Sequence, residues 1–331
     1  MAPSHERIAH EAGDGARDIG IVGLGRMGSA LALQAADKGM RVVGNGRTVP
    51  EGLERAGVTI ESSLEALVTD LTPPRVVFLY VPAGPTVDTV LGELADILDT
   101  GDIIADGGNS YWGDSLRRHR ELETRGVELV DVGTSGGISG ARHGACFMVG
   151  GNRDAVAWLE GILEALSVPG GYVHAGPPGA GHFAKLVHNG IEFGMLQAIA
   201  EGVDLLEHFG EPLPVADVLR CWRHGSVIRS WLVDLMEEAY RDGGGLAGVP
   251  PHVEDTGEVR WLLGDALEME RPVPAIAQAI MQLFSSRDTS RVWARAIAMM
   301  RHGFGGHPLG GDAGTRRERR EGRVGDIIRG T

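Results

Sequence analysis

The chain has 331 residues and a formal net charge of −14, from 31 Lys+Arg against 45 Asp+Glu. This acidic balance argues against nucleic acid as the main partner, because phosphate binding needs a basic face. Two cysteines are too few for a disulfide framework or a zinc site, and no metal-ligand cluster is evident. Glycine is in excess, at 51 residues or about 15% where roughly 7% is usual. Because 43% of residues are hydrophobic, the glycines predict turns and close backbone contacts in a folded protein.

Residues 1–17 are polar and mixed in charge, so they predict a flexible leader and not a signal peptide. No stretch approaches the roughly 18 apolar residues of a membrane span. We therefore expect a cytoplasmic protein that contacts no membrane. A strand is predicted from Asp18, a helix up to Lys38 and a second strand over Arg41–Gly44, which together form a βαβ unit.

The turn between the first strand and the helix is G-x-G-x-x-G, with glycines at Gly23, Gly25 and Gly28. In a dinucleotide site the first glycine makes the turn, the second lets the pyrophosphate approach, and the third lets helix and strand pack closely. The strand–turn–helix context favours dinucleotide binding over a purely structural turn.

The end of the second strand carries no carboxylate that would read the ribose hydroxyl of NAD. Arg47 and Thr48 follow it, and both can donate hydrogen bonds to a 2′-phosphate. This favours NADP over NAD. The alternative is that Arg47 stacks on the adenine or faces solvent, which would leave either cofactor acceptable.

Further strands are predicted in alternation with helical segments, which indicates a mainly parallel sheet covered by helices on both faces. These strands are predicted at 76–81, 103–105, 128–132 and 147–149. From Gly181 strand signals nearly vanish, and helical segments are predicted at 181–209, 214–241, 256–270 and 274–302. The predicted fold is thus an α/β, Rossmann-type doubly wound domain over 18–179, then an all-α domain over 180–302 and a tail over 303–331.

Two polar glycine turns follow strands of the predicted sheet, Asp106–Ser110 and Asp131–Gly137. Open α/β sheets bind ligands at the carboxyl ends of their strands. Either turn could be ordinary, but three glycine turns at one sheet edge predict a ligand cleft. The stretch 243–251 is typical of a linker, and the charge run 316–323 of a solvated tail.

Four polar residues fall at i, i+3, i+4 and i+7 of the predicted helix that starts near Gly181, namely Lys185, His188, Asn189 and Glu192. At 100° per residue they lie within an arc of roughly 100°, on a helix that is otherwise apolar. A lysine and a glutamate so placed suit acid–base chemistry. The stripe alone is equally compatible with a solvated face.

These motifs resemble the decarboxylating 6-phosphogluconate dehydrogenases, in their short bacterial form. The resemblance rests on G-L-G-R-M-G, V-P-A-G (81–84), D-G-G-N-S, S-G-G-x-x-G-A-R-x-G (135–144) and G-A-G-H-F-x-K-x-V-H-N-G-I-E, and covers roughly 18–310. It implies oxidation of 6-phosphogluconate to ribulose 5-phosphate and CO2 by NADP or NAD, in the pentose phosphate pathway and gluconate utilisation.

The resemblance implies that Lys185 is the general base toward the substrate's C3 hydroxyl and Glu192 the acid that protonates the enediol carbon. It also implies substrate contacts from Asn109, Ser135, Gly136, Gly137, His188, Asn189, Arg260 and Arg287, the two arginines at the phosphate. Arg301 and His307 match a tail that reaches a neighbouring subunit, so a homodimer or larger homo-oligomer such as a tetramer is implied. Cofactor contacts are implied at Met27, Val81, Ala83 and Asn109 beside the glycine turn.

Three residues depart from the family pattern: Phe193 replaces Tyr, Leu262 replaces Thr, and Gly46 replaces Asn or Asp. The alternatives are therefore a 3-hydroxyisobutyrate-type β-hydroxyacid dehydrogenase or imine reductase, and a specialised paralogue for a related hydroxy acid. A non-catalytic NADP-binding regulator is a third. It is disfavoured because a binder needs no proton-transfer pair such as Lys185 and Glu192.

Overall fold

The computed structural model of the protein describes residues 18–312. The predicted leader 1–17 and the end of the predicted tail, with its charge run, lie outside the described residues. The chain divides into two compact units, which we call unit 1 (up to His188) and unit 2 (from Asn189).

Unit 1 holds a sheet of eight strands in the order β3-β2-β1-β4-β5-β6-β7-β8. The strands are β1 Asp18–Val22, β2 Arg41–Asn45, β3 Val58–Ile60, β4 Val76–Leu79, β5 Ile103–Asp106, β6 Glu128–Ser135, β7 Ala145–Gly150 and β8 Ser167–Gly176. Strands β1 to β6 pair in parallel, β7 runs antiparallel to β6, and β8 pairs in parallel with β7. The order 3-2-1-4-5-6 is that of a dinucleotide-binding sheet, which confirms the predicted doubly wound α/β class.

Helices cover both faces of this sheet, and β4 shows why. Val76 and Phe78 pack with one buried cluster, whereas Val77 and Leu79 pack with the other, because successive strand residues point to opposite faces. The helices of unit 1 are α1 Arg26–Asp37, α2 Leu64–Asp70, α3 Pro85–Ala95, α4 Trp112–Glu123, α5 Gly137–His143 and α6 Arg153–Leu166, with one 3-10 turn at Glu54–Ala56.

The long helix α7 (Ala180–Glu207) starts one residue before the predicted helical run and crosses from unit 1 into unit 2. Among the described residues, the elements that follow α7 in unit 2 are all helices, which confirms the prediction of an all-α part. Its helices are α8 Val215–Arg223, α9 Trp231–Asp242, α10 Glu258–Glu268, α11 Pro274–Arg287 and α12 Val292–Gly305.

The structure corrects some predicted elements. The segments 214–241 and 274–302 are each two helices, and α12 runs on to Gly305, into the predicted tail. Strands β3 and β8 were not predicted. β3 has three residues, and β8 contains a Pro and three Gly and is largely exposed, so neither presents a buried apolar run.

Candidate active site

Two hydrogen bonds stabilise the glycine turn after β1. The Gly23 N–H donates to the Asn45 carbonyl at 2.8 Å, and the Ser29 hydroxyl donates to the Leu24 carbonyl at 2.7 Å. A side chain at Gly28 would collide with the Gly23 carbonyl, so only glycine lets α1 pack this closely against the turn.

The first turn of α1 fits a phosphate group. Gly25 precedes the helix with open space around it, no side chain caps the helix start, and no acidic residue lies in its first turn. Unpaired N–H groups at a helix start attract anions. Met27 lies half-buried in this same turn.

At the end of β2 the side chain of Asn45 is already engaged, because its amide donates to the Glu61 carbonyl at 2.8 Å. Arg47 and Thr48 follow it and are both exposed. The residues beyond the strand end thus present a cation and a hydroxyl at the surface.

The loop between β4 and α3 carries Val81 and Ala83, both half-buried. The buried guanidinium of Arg118 holds this loop, because it donates to the Gly84 carbonyl at 3.0 Å and to the Asp88 carboxylate at 2.8 Å. The same hydrogen bond holds the pKa of Asp88 below its usual value.

Tyr80 follows β4 directly and reaches across the sheet, where its hydroxyl lies 3.1 Å from that of Thr134 on β6. Burial of the phenol raises the pKa of Tyr80 to about 12. A side chain at Gly107 would collide with this ring, so the glycine makes room for it. Tyr80 therefore stays neutral near pH 7 and acts as a support, not as an acid or base.

The turn that carries Asn109 is organised by the buried carboxylate of Asp106. This carboxylate accepts the Gly108 N–H at 3.0 Å and the Ser110 hydroxyl at 2.7 Å. Asn109 itself is half-buried between these two anchors.

Lys185, His188 and Ser135 come together in unit 1. The Ser135 hydroxyl lies 3.0 Å from His188 Nε2, and the Lys185 amine lies 3.5 Å from His188 Nδ1. Gly136 and Gly137 follow Ser135 directly, where Gly136 precedes α5 in a left-handed conformation with φ 111°. The structure thus places the predicted amine, imidazole and hydroxyl in one connected group.

The start of α7 sits directly on the backbone of the sheet. A Cβ at Gly133 would lie 2.6 Å from the Lys185 Cβ, and one at Gly150 would lie 2.6 Å from the Gly181 nitrogen. The buried carboxylate of Asp131 also holds the start of α7, because it accepts the N–H groups of Gly179 at 2.7 Å and His182 at 2.8 Å. The distance between Lys185 and the sheet is therefore set by these close glycine contacts together with the Asp131 carboxylate.

The remaining predicted residues belong to unit 2. Asn189 is buried and Glu192 is half-buried, and both continue the stripe of Lys185 along α7. Arg301 is exposed on α12, and the carbonyl of His307 lies 2.8 Å from His302 Nδ1.

The two predicted phosphate ligands differ in their surroundings. Arg260 is exposed on α10, whereas Arg287 at the end of α11 is ion-paired with the buried Asp255 and lies 3.8 Å from Glu254. A phosphate at Arg287 would therefore compete with Asp255, a residue that the sequence prediction did not include.

The two departures near the predicted phosphate end both serve packing within unit 2. Phe193 packs against the cluster of Val259, Ile280 and Leu283, and Leu262 is buried against Gly190. Both side chains are apolar where the family pattern has hydroxyl groups.

Sequence reasoning missed the residues that support the site, above all His182, Ser115 and Arg118. Each is nearly fully buried, at 2%, 1% and 1% exposure. Asp131 was noted only as part of a glycine turn. A carboxylate inside an otherwise apolar strand, such as Asp131, is the one signal in the sequence that points to such a support.

A dinucleotide-binding sheet, a lysine beside its ligand edge and a helical second unit define the class of protein as an NAD(P)-dependent oxidoreductase. The sequence matches the profile of the NAD-binding domain of 6-phosphogluconate dehydrogenase over residues 18–175 and that of the C-terminal domain over residues 181–308. The chain belongs to the 6-phosphogluconate dehydrogenase family.

Known relatives agree over most of the chain. It is 39% identical over 296 residues to an NAD(+)-dependent, decarboxylating 6-phosphogluconate dehydrogenase of Haloferax volcanii, covering 88% of this chain and 98% of that protein. It is 36% identical to decarboxylating 6-phosphogluconate dehydrogenase 1 of Saccharomyces cerevisiae, covering 85% of this chain and 61% of the yeast protein.

Solved structures show the same fold. The 6-phosphogluconate dehydrogenase of Plasmodium falciparum, described in apo form and with NADP+ or 6-phosphogluconate, matches with a TM-score of 0.76 at 29% identity, over 89% of this chain and 66% of that one. A 3-hydroxyisobutyrate dehydrogenase of Mycobacterium tuberculosis matches in fold, with a TM-score of 0.66 at 21% identity, over 82% of this chain and 94% of that one.

Within residues 18–312, no group of three or more His, Cys, Asp or Glu side chains is placed to hold a metal ion. Over the same residues, none of the helices has the length and apolar character needed to cross a membrane.

Proposed function

We propose that the protein catalyses the oxidative decarboxylation of 6-phosphogluconate to ribulose 5-phosphate and CO2, with reduction of NADP or NAD. The names of the Haloferax and yeast relatives support this reaction. We assign cofactor binding to residues 18–179 and substrate binding and dimerisation to residues 180–302.

The observation that carries the proposal is the choice of lysine at position 185. Only two of the 31 basic residues Lys+Arg are lysines, Lys38 and Lys185. Arginine cannot lose its proton in a protein, whereas lysine can. In a chain that uses arginine almost throughout, a lysine beside His188 and Ser135 supports a role that requires a neutral amine.

In the proposed mechanism, neutral Lys185 removes the proton of the substrate's C3 hydroxyl as the C3 hydrogen leaves as hydride. The nicotinamide, when bound, accepts this hydride. The product is a β-keto acid, whose C1–C2 bond breaks to release CO2 because the C3 carbonyl accepts the electron pair. Lys185 then returns its proton to the C3 oxygen, which gives an enediol.

Glu192 protonates the enediol carbon that lost CO2, while Lys185 accepts a hydroxyl proton again as the ketone forms. Glu192 lies two turns after Lys185 along α7. Ser135 and His188, joined at 3.0 Å, support binding of the substrate's carboxylate end, together with the backbone of Gly136 and Gly137.

The other proposed substrate contacts divide by chemistry. Asn109 and Asn189 offer amides to the sugar hydroxyls, and Arg260 and Arg287 offer guanidinium groups to the phosphate. NADP is the proposed preferred cofactor, because Arg47 and Thr48 are exposed beyond β2. Gly23, Gly25, Met27 and Gly28 hold the pyrophosphate, and Val81, Ala83 and Asn109 border the nicotinamide.

We also propose a homo-oligomer, a dimer or a tetramer, in which Arg301 and His307 complete the neighbouring subunit's site. The helix α12 supports this, because Val292, Trp293 and Met299 are 63%, 60% and 70% exposed. Large contiguous apolar surfaces mark protein interfaces.

The proposed compartment is the cytoplasm, and the proposed setting is the pentose phosphate pathway or gluconate utilisation. Cys146 and Cys221 are both free thiols, which is typical of a reducing compartment.

One assay tests the proposal. Purified protein with 6-phosphogluconate and either NADP or NAD should reduce the nicotinamide and release one CO2 per turnover. The absence of turnover with both cofactors would refute the proposed reaction.

The second candidate is a dehydrogenase for a related hydroxy acid, and the apolar side chains of Phe193 and Leu262 favour it. The same assay with gluconate and with 3-hydroxyisobutyrate separates the two. A higher kcat/KM for either compound than for 6-phosphogluconate would favour the second candidate.

A further inference from the structure

The first turn of α7 carries a histidine that the proposed reaction does not use. His182 is 2% exposed, and both of its ring nitrogens are engaged within unit 1. Nδ1 lies 2.7 Å from the hydroxyl of Ser115 on α4, and Nε2 lies 3.1 Å from the carbonyl oxygen of Asp106 at the end of β5. A carbonyl can only accept, so Nε2 carries a proton and donates it.

Asp106 therefore holds two parts of the candidate site at once. Its carboxylate accepts from Gly108 and Ser110, which flank Asn109, and its carbonyl accepts from His182. A residue proposed to bind substrate and the helix that carries the proposed base are thus fixed to the same residue.

The backbone of His182 is fixed as well, because its N–H donates to the Asp131 carboxylate at 2.8 Å. Lys185 follows three residues later, about one helical turn along α7. The first turn of α7 is thus tied to β6 through the His182 N–H and to the end of β5 through the His182 ring. Loss of the ring bond removes the tie that relates Lys185 to the turn of Asn109.

We propose that His182, oriented by Ser115, is a positioning residue that fixes Lys185 relative to the turn of Asn109. This inference rests on the proposed function, in which Lys185 must meet the C3 hydroxyl of a substrate that Asn109 also binds. Misplacement of a catalytic group by about 1 Å can cost on the order of 100-fold in rate.

Three variants of His182 test the two hydrogen bonds of its ring separately. His182→Gln keeps a donor near the Nε2 position, His182→Asn keeps an acceptor near the Nδ1 position, and His182→Leu keeps neither. We expect His182→Leu to lower kcat about 100-fold with KM for 6-phosphogluconate changed less than about threefold. His182→Gln should recover more of kcat than His182→Asn, because it retains the bond to Asp106.

The matched control is His119→Leu. His119 is also a buried histidine, 8% exposed on α4, but its Nδ1 makes no hydrogen bond. Both leucine variants should lose thermal stability, and only His182→Leu should lose kcat per folded molecule. Equal loss of kcat in the two, or equal kcat in the three His182 variants, would overturn the proposal.

A second readout does not depend on turnover. The side-chain amines of the chain are Lys38 and Lys185, so trinitrobenzenesulfonate labelling followed by mass spectrometry resolves them, with the exposed Lys38 as internal reference. His182→Leu should change the Lys185 rate and its pH profile relative to Lys38, whereas His119→Leu should not. An unchanged ratio would overturn the positioning role, even if 6-phosphogluconate proves not to be the substrate.

Discussion

Units 1 and 2 bury their apolar side chains to very different extents. In unit 1 the two faces of the sheet each carry a large buried cluster. From residue 18 on, its exposed large apolar side chains are Val49, Ile138, Val168 and Val173. In unit 2 the buried clusters are small, with cores of three residues each, and most of the exposed large apolar side chains of the described chain lie here.

The difference supports the proposed homo-oligomer. A doubly wound sheet buries both faces under its own crossover helices. Among the residues of unit 2 that the structure describes, helices such as α12 have no such cover, so their apolar side chains remain available to a second copy. We infer that the chemistry of the base is organised within unit 1, whereas unit 2 needs a partner.

The largest expected effect concerns unit 1. Lys185→Met should lower kcat by about 10²- to 10⁴-fold, the usual contribution of a general base, because no amine then accepts the C3 proton. Steady-state kinetics measure the loss, and calorimetry should still detect 6-phosphogluconate binding. Lys38→Met, the control at the other lysine, should keep normal rates. Near-normal turnover in Lys185→Met would remove this residue from its proposed role.

The second prediction compares the truncation of one phenylalanine in each unit. Phe78 is 0% exposed in unit 1 and Phe209 is 52% exposed in unit 2. Phe78→Ala should lower the free energy of unfolding by about 3–5 kcal/mol, because it opens a cavity in the sheet's core. Phe209→Ala should change it by less than about 0.5 kcal/mol. Urea denaturation measures both, and similar losses would contradict the proposed difference in packing.

The surface of unit 2 gives a third test. Trp293→Glu places a charge in the proposed interface and should weaken self-association by about 30-fold or more. Tryptophans that become buried when two chains associate are frequent interface hot spots. Sedimentation velocity should show a shift toward the monomer. Val173→Glu, at a valine of unit 1 that is 50% exposed, is the control and should keep the native mass. An unchanged mass in Trp293→Glu would exclude α12 as the interface.

The smallest expected effect concerns the cofactor. Arg47→Ala should weaken NADP binding by about tenfold, the cost of one charge-assisted hydrogen bond, and leave NAD binding nearly unchanged. Fluorescence titration with each dinucleotide measures this, with the exposed Arg55→Ala as control. Equal weakening of both would contradict the proposed NADP preference.

The sequence predicted those parts of the fold whose signal is local. The six strands with continuous apolar runs and the long helix α7 were found, because buried parallel strands and long helices leave strong patterns. β3 and β8 were missed because neither presents a buried apolar run. The breaks within 214–241 and 274–302 were missed because two amphipathic helices in series read as one.

For the site, the sequence identified residues whose type implies chemistry, such as Lys185, Ser135 and His188, and the structure brings these three together. It could not give the supporting residues, because Ser115 is 67 positions from His182 and Asp131 is 51 positions away. Nor could it show that Asp255 already pairs with Arg287.

The close packing of the start of α7 on the sheet limits which substitutions the enzyme tolerates. A helix that packs on the side chains of a sheet shifts when those side chains change in volume. At Gly133, Gly150 and Gly181 the helix instead packs so closely on the strand backbone and the Asp131 carboxylate that a Cβ at any of the three would lie within 2.6 Å of a neighbouring atom. Because a Cβ at any of these three positions would collide, we expect even the smallest substitution there, glycine to alanine, to displace the start of α7 and with it Lys185.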